Sequence, residues 1–162
     1  MAREYSLAAA GITLANQAVT MAFFNPVAGT VVEVLRCWVA QSANATSAQQ
    51  RVQLNTQVTV FPTLTSQAPA KLKTGDPASG ITGGTAGAAG TSGINASAEG
   101  AGAKTVIWAD AFNVLNGWLW VPTPRETIMV QGAASAGFGL HVPVAPATLT
   151  NWAFGLVLAE IG

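Results

Sequence analysis

The amino-acid sequence predicts an all-β fold, on three observations. Apolar residues recur with a period of two along several segments, which is the pattern of strands that bury one face. Turn signals such as Asn25-Pro26 and Asn116-Gly117 separate these segments at the spacing of short strands. Helix signals are poor, and the best short helix or turn is 110–115, with Asp110 as its N-cap. We therefore expect one antiparallel β-sandwich domain over residues 1–162.

Nine segments qualify as strands because each carries apolar residues on at least one face. In chain order they are 5–14, 18–24, 30–40, 51–60, 104–109, 117–121, 126–131, 137–142 and 151–161. The segment 30–40 is apolar on both faces except for Glu33 and Arg36, so we expect it to lie at the centre of a sheet. Eight strands in two sheets is the count of a jelly roll, and the predicted architecture is jelly-roll-like with eight or nine strands.

The clearest alternation lies in the segment 51–60, RVQLNTQVTV. Its apolar face consists of Val52, Leu54, Val58 and Val60. Its polar face consists of Arg51, Gln53, Asn55, Gln57 and Thr59. This pattern predicts a strand with one face in the core and the other in water.

One long Gly/Ala-rich loop or arm is predicted at about 63–103. Its first part contains prolines and the two lysines Lys71 and Lys73, and its second part has almost no side chain that could pack. A loop longer than about 15 residues inside a compact domain is uncommon, and it is usually functional or disordered. We expect either a disordered insertion or an arm that orders against a neighbouring subunit or a partner. In both cases deletion of 83–102 would leave the domain folded.

The composition points towards assembly. Half of the residues are hydrophobic and 9% are charged, against about 25% in a typical domain. Seven Lys and Arg balance seven Asp and Glu, which argues against nucleic acid and against an anionic membrane surface as partners. A chain with so little charge is expected to cover part of its surface in an oligomer or larger assembly.

No catalytic, metal or cofactor signature is present, and we expect none of these sites. Cys37 is single and is predicted to be buried and inert. His141 is also single, and its place beside glycines on a strand favours a half-buried strand residue over a catalytic base. The seven carboxylates are scattered along the chain, without a local pair for acid–base work.

The candidate interface residues come from two places. Trp118 and Trp120 share one face of a predicted strand next to a proline-rich turn, and such indoles fill a core or a subunit seam more often than they bind sugars. The arm contributes the others, which are Lys71, Lys73, Gly83, Gly84 and Ile94.

The chain resembles the small capsid-decoration, or cement, proteins of tailed phages. The resemblance lies in the N-terminal REYSLAAAGITLANQAVTMAFFNP leading into TVVEVLRCWVAQSAN, and in the last third, ETIMVQGAASAGFGLHVPVAPATLTNWAFGLVLAEIG. It covers most of the chain outside the arm and lies in the overall sequence pattern, with no single diagnostic motif. It implies a homotrimer that is made in the host cytoplasm, binds the major capsid protein on the outer surface of the shell and stabilises it.

Other functions stay open at this point. A receptor- or glycan-binding head-fibre or lectin-like module would present Trp118 and Trp120 to solvent. A jelly-roll capsid subunit would be expected to carry a basic N-terminal arm, which is missing here. An enzyme would need His141 as its base.

Overall fold

The protein folds entirely into β-structure in the part of the chain that the structure, a computed structural model, describes: residues 2–15, 18–43, 46–132 and 136–161. Its strands are β1 (Arg3–Ile12), β2 (Val19–Asn25), β3 (Val31–Gln41), β4 (Gln49–Val58), β5 (Thr63–Ser66), β6 (Ala70–Lys71), β7 (Thr82–Gly83), β8 (Thr91–Ala98), β9 (Lys104–Asn113), β10 (Trp118–Trp120), β11 (Ile128–Gln131), β12 (Ala136–Val142) and β13 (Trp152–Ile161). The all-β prediction is confirmed, whereas the predicted count of eight or nine strands is too low, since 13 are present.

Two packed sheets contain these strands. The first sheet has the order β10-β3-β13-β1-β6, with β11 also paired to β3. The second sheet has the order β5-β8-β2-β12-β4-β9, with β7 also paired to β8. All pairs are antiparallel except the short β7–β8 pair.

The pairing is that of a jelly roll. If β10 and β11 count as one interrupted strand and β5 to β8 as an insertion, eight principal strands remain. The first then pairs with the last (β1–β13), the second with the seventh (β2–β12), the third with the sixth (β3–β10/β11) and the fourth with the fifth (β4–β9). A long hairpin rolled into two facing sheets gives these four pairs, so the predicted jelly-roll-like architecture is confirmed.

The core lies between the two sheets. Its largest fully buried side chains include Trp152, Tyr5, Phe24, Phe138 and Phe154, which come from β13, β1, β2 and β12. Cys37 is a free thiol in this core, as predicted, and burial raises the pKa of this thiol well above its ordinary value. The core therefore joins strands from both ends of the chain.

The segment predicted as a loop or arm, 63–103, contains the four strands β5 to β8. In particular, β8 pairs with β2 over Ala22↔Ile94 to Asn25↔Thr91, and β6 pairs with β1. A chain so poor in large side chains folds because its main chain completes the ladders of two existing sheets, and because its small residues allow close approach. A Cβ at Gly102, for example, would meet the carbonyl oxygens of Val58 and Val60.

The predicted wet face of β4 is correct for Arg51, which is exposed, and wrong for the second half of the strand. Asn55 and Gln57 are each only 1% exposed, because the strands and turns of the insertion cover the outer face of the second sheet. There Phe23 packs with Leu64, Ala96 and Phe61 in a second, smaller apolar cluster. Val58 and Val60, assigned to the core by periodicity, are instead exposed at the end of the strand.

The predicted helix or turn at 110–115 is mostly strand. β9 continues to Asn113, so Asp110 is a strand residue and not an N-cap. Only the end of the segment turns, where the amide of Asn116 donates to the carbonyl oxygen of Asn113 at 2.9 Å.

Candidate interaction surface

The two long sides of the sandwich differ in how they are closed. On the β1/β2 side, the insertion adds β6 to the first sheet and β8 with β5 to the second. On the opposite side, β9 ends the second sheet, and β10 and β11 end the first. Within the described part of the chain, no strand pairs with the outer side of these three, so this side is an open edge.

Two buried indoles close the gap between the sheets at the open edge. Trp118 and Trp120 point inward and are 9% and 6% exposed. The Nε1–H of Trp118 donates to Oδ2 of Asp110 on β9 at 3.1 Å, and the ring of Trp120 lies 6.3 Å from that of Trp108. These contacts cross from one sheet to the other and hold β9 against β10.

Large apolar side chains are concentrated along this edge. Seven of the twelve that are exposed in the described residues lie on β9 to β11 or in the turns beside them, and each is between 40% and 64% exposed. We call this set the apolar edge; it consists of Val106, Ile107, Trp108, Leu115, Leu119, Val121 and Met129. Exposed apolar patches of this kind mark interaction surfaces on proteins.

The charges that border the apolar edge are balanced. Glu33 and Arg36 lie on β3, which pairs with β10 and β11. Arg125 and Glu126 lie between β10 and β11, and Glu126 accepts a hydrogen bond from the Thr123 hydroxyl at 2.9 Å. The guanidinium of Arg36 stacks 5.5 Å from the ring of Trp38. No sign of charge dominates this surface.

A second group of polar and charged side chains surrounds Glu99 on the outer face of the second sheet. The carboxylate of Glu99 accepts hydrogen bonds from the Thr20 amide at 2.6 Å, the Thr20 hydroxyl at 2.7 Å and Nζ of Lys104 at 2.6 Å. Nδ1 of His141 lies 3.4 Å from the same carboxylate and 3.4 Å from the Thr20 hydroxyl. Burial, together with the Lys104 charge, lowers the pKa of His141 to about 4 although Glu99 opposes the shift.

This Glu99 cluster anchors the insertion to the second sheet. Thr20 and His141 are opposite each other on β2 and β12, while Glu99 comes from the chain just after β8. The side-chain amide of Gln57 also donates to the carbonyl oxygen of Glu99 at 2.8 Å. Thr20 and His141 are buried, and the cluster ties β2, β12 and the end of the insertion together.

One surface cavity, of about 340 Å³, lies at one end of the sandwich and is lined in part by Gln41, Gln50, Arg51 and Thr148. Another, of about 250 Å³, lies beside the apolar edge between Trp38 and Leu119. Among the residues that the structure describes, no three His, Cys, Asp or Glu side chains come together as metal ligands. The same residues contain no helix with the length and hydropathy needed to span a bilayer.

The structure does not bring the seven predicted interface residues together. Trp118 and Trp120 lie at the open edge but point into the core. Lys71 lies on β6 at the other end of the same sheet, and Lys73 follows it and pairs with Glu4 at 3.7 Å. Gly83 is on β7, Gly84 follows it, and Ile94 on β8 is buried.

The sequence analysis did not predict the exposed residues of the open edge as interface residues. A signal was present, since strand alternation that turns Trp118 and Trp120 inward must turn Leu119 and Val121 outward. In the same way, Met129 lies between the buried Ile128 and Val130.

Comparison of the chain with protein-family models, with curated proteins and with solved structures gave no match.

Proposed function

We propose that the chain is a structural virion protein that binds the outer surface of an icosahedral phage capsid and stabilises it. In this proposal the protein has no catalytic role, and it acts as a cement or decoration protein. The observation that carries the proposal is the apolar edge, the seven exposed apolar side chains on or beside the strands that end the two sheets of the jelly roll. Assembly would bury these apolar side chains against another molecule.

Two further features support an assembly role. The chain has 7 basic and 7 acidic side chains, so copies placed close together on a shell would not repel one another strongly. The insertion is anchored to both sheets, which gives a rigid body with little to reorganise on binding. The partners in this proposal are copies of the chain itself, as a homotrimer, and a major capsid protein.

The location follows from the same proposal. The protein would be made in the host cytoplasm and would end on the capsid surface, without contacts to nucleic acid or membrane. The glycan-binding alternative loses its main support, because Trp118 and Trp120 are buried and cannot form an exposed aromatic platform.

The test is binding to empty shells assembled from a phage major capsid protein taken from the genome that encodes this chain. We expect saturable co-sedimentation of the protein with these shells and a higher temperature of shell disassembly. Shells of an unrelated phage serve as the control. Absence of co-sedimentation, or equal binding to both kinds of shell, would refute the proposal.

A further inference from the structure

We infer that copies of this chain bind one another through the apolar edge, with the β9–β11 side of one molecule against the same side of another. This inference goes beyond the proposed function: a contact between like surfaces joins two copies, so it assigns a dimer contact to the apolar edge, separate from any contact within the homotrimer. It does not require a capsid, because the geometry of the isolated chain carries it.

The first argument is that the sheets end differently on the two sides. On the β1/β2 side they end in the short strands β6 and β5, of two and four residues, and the insertion buries Phe23, Asn55 and Gln57 on the outside of the second sheet. The open edge has no such cover in the described residues, and β9 is exposed along most of its length. Long exposed edge strands are places where a protein meets another chain.

The second argument is area. An aromatic side chain such as Trp108 can bury about 150–250 Å², and each of the seven side chains is between 40% and 64% exposed. A standard interface takes about 800 Å² from each partner. The seven side chains therefore supply part of the area that one contact needs, and their polar border supplies the rest.

The third argument is charge. The border carries Glu33 with Arg36 and Arg125 with Glu126, two charges of each sign. A patch that contacts its own copy must be self-complementary, and a border with both signs meets that need. A strongly basic or acidic partner would find no matching field here.

The contact is formed by side chains and not by a continuous sheet. The ladder between β4 and β9 shifts register between Leu54 and Asn55, so that Ile107 is the extra residue of a β-bulge at the middle of β9. Bulges on edge strands prevent two edges from pairing along their whole length. The exposed Trp108, Leu119 and Met129 then provide the buried centre of the interface.

The experiment is the mass of the purified full-length protein in solution, by light scattering after size exclusion, for the wild type and for Leu119→Glu. Leu119 is 64% exposed, so the charge should leave the fold intact while it places an unpaired carboxylate in the contact. We expect an oligomer for the wild type and a monomer for Leu119→Glu. The matched control is Leu72→Glu on the opposite side, where Leu72 is 48% exposed, and it should remain an oligomer.

A monomeric wild type over the accessible concentration range would overturn the inference. So would an oligomer that survives in Leu119→Glu, or one that Leu72→Glu abolishes equally. If circular dichroism shows that Leu119→Glu fails to fold, Met129→Glu on β11 provides the same test. An oligomer that does not bind capsid shells would refute the proposed function and leave this inference standing.

Discussion

At Trp120 the role predicted from sequence differs from the role that the structure gives the side chain. It was predicted to be an interface residue, yet it is 6% exposed and packs against Trp108 across the gap between the sheets. Its neighbour Val121 is exposed. At this position the indole therefore stabilises the fold of the single chain, and the residues beside it are free to contact another molecule.

Truncation of this indole should lower the stability of the isolated chain. We expect Trp120→Ala to reduce the free energy of unfolding by about 3 kcal/mol or more, because a large cavity remains in the core. The matched control, Val144→Ala, lies outside the apolar edge at 43% exposure and should change it by less than about 0.5 kcal/mol. Urea unfolding followed by circular dichroism measures both; equal small losses would show that Trp120 is not a core residue.

His141 should make the stability of the protein depend on pH. Its pKa is about 4 in the folded chain against 6.5 for the ordinary group, so below pH 6.5 the unfolded chain binds the proton more readily. The contribution of His141 to the free energy of unfolding is therefore fully present above pH 6.5 and is lost as the pH falls towards 4. The charged and hydrogen-bonding groups that face the imidazole are Lys104, Glu99, Thr20 and the backbone of Val19.

Between pH 7 and pH 5 we expect the wild type to lose about 2 kcal/mol of unfolding free energy, from the conversion of the pKa difference. The variant His141→Gln should show a much flatter profile over the same interval. Urea unfolding at a series of pH values measures both curves. Parallel profiles for the two proteins would contradict the account of the Glu99 cluster.

At the scale of elements, the insertion is the main difference between expectation and structure. A stretch of Gly, Ala and Ser was predicted to be a tether because its own side chains cannot pay for ordering. In the structure β8 pairs with β2 on one side and β5 on the other, and Glu99 fixes the chain that follows it. The insertion belongs to the folded core of the second sheet.

Amide hydrogen exchange should separate these two descriptions. We expect the amides of β8, 91–98, to be protected to about the same degree as those of β2, since the two strands share a ladder. A tether would exchange within the dead time of the measurement. The exposed residues 73–75 of the same insertion are the internal reference for fast exchange.

Deletion of 83–102 is now expected to unfold the domain or to destabilise it strongly. It would remove β8, uncover Phe23 and leave Thr20 without the Glu99 carboxylate. The expectation of a harmless deletion held only for an insertion without strands of its own.

At the scale of the whole molecule, the jelly-roll pairing determines where an assembly contact can form. The roll brings the fifth and sixth principal strands to one side, where both sheets end without a further strand. On the opposite side the insertion extends both sheets, which end there in the short strands β6 and β5. The open edge is also where the exposed apolar residues are concentrated.

Self-association through this edge should make thermal stability depend on protein concentration. We expect the Tm of the wild type to rise as the protein concentration is increased, because association draws the folded chain into the oligomer. The Tm of Leu119→Glu should stay constant over the same range. A concentration-independent Tm for the wild type would argue that no oligomer forms.

The sequence by itself determined the all-β class, the positions of the nine predicted strand segments and the burial of Cys37, because alternation and turn residues are local properties of the chain. Periodicity also placed Val52 and Leu54 correctly in the core. Tertiary structure alone decided that the insertion is ordered, that Asn55 and Gln57 are buried and that His141 lies beside Glu99. These outcomes depend on main-chain pairing and contacts between residues far apart in sequence, for which a local pattern of small or polar side chains carries no signal.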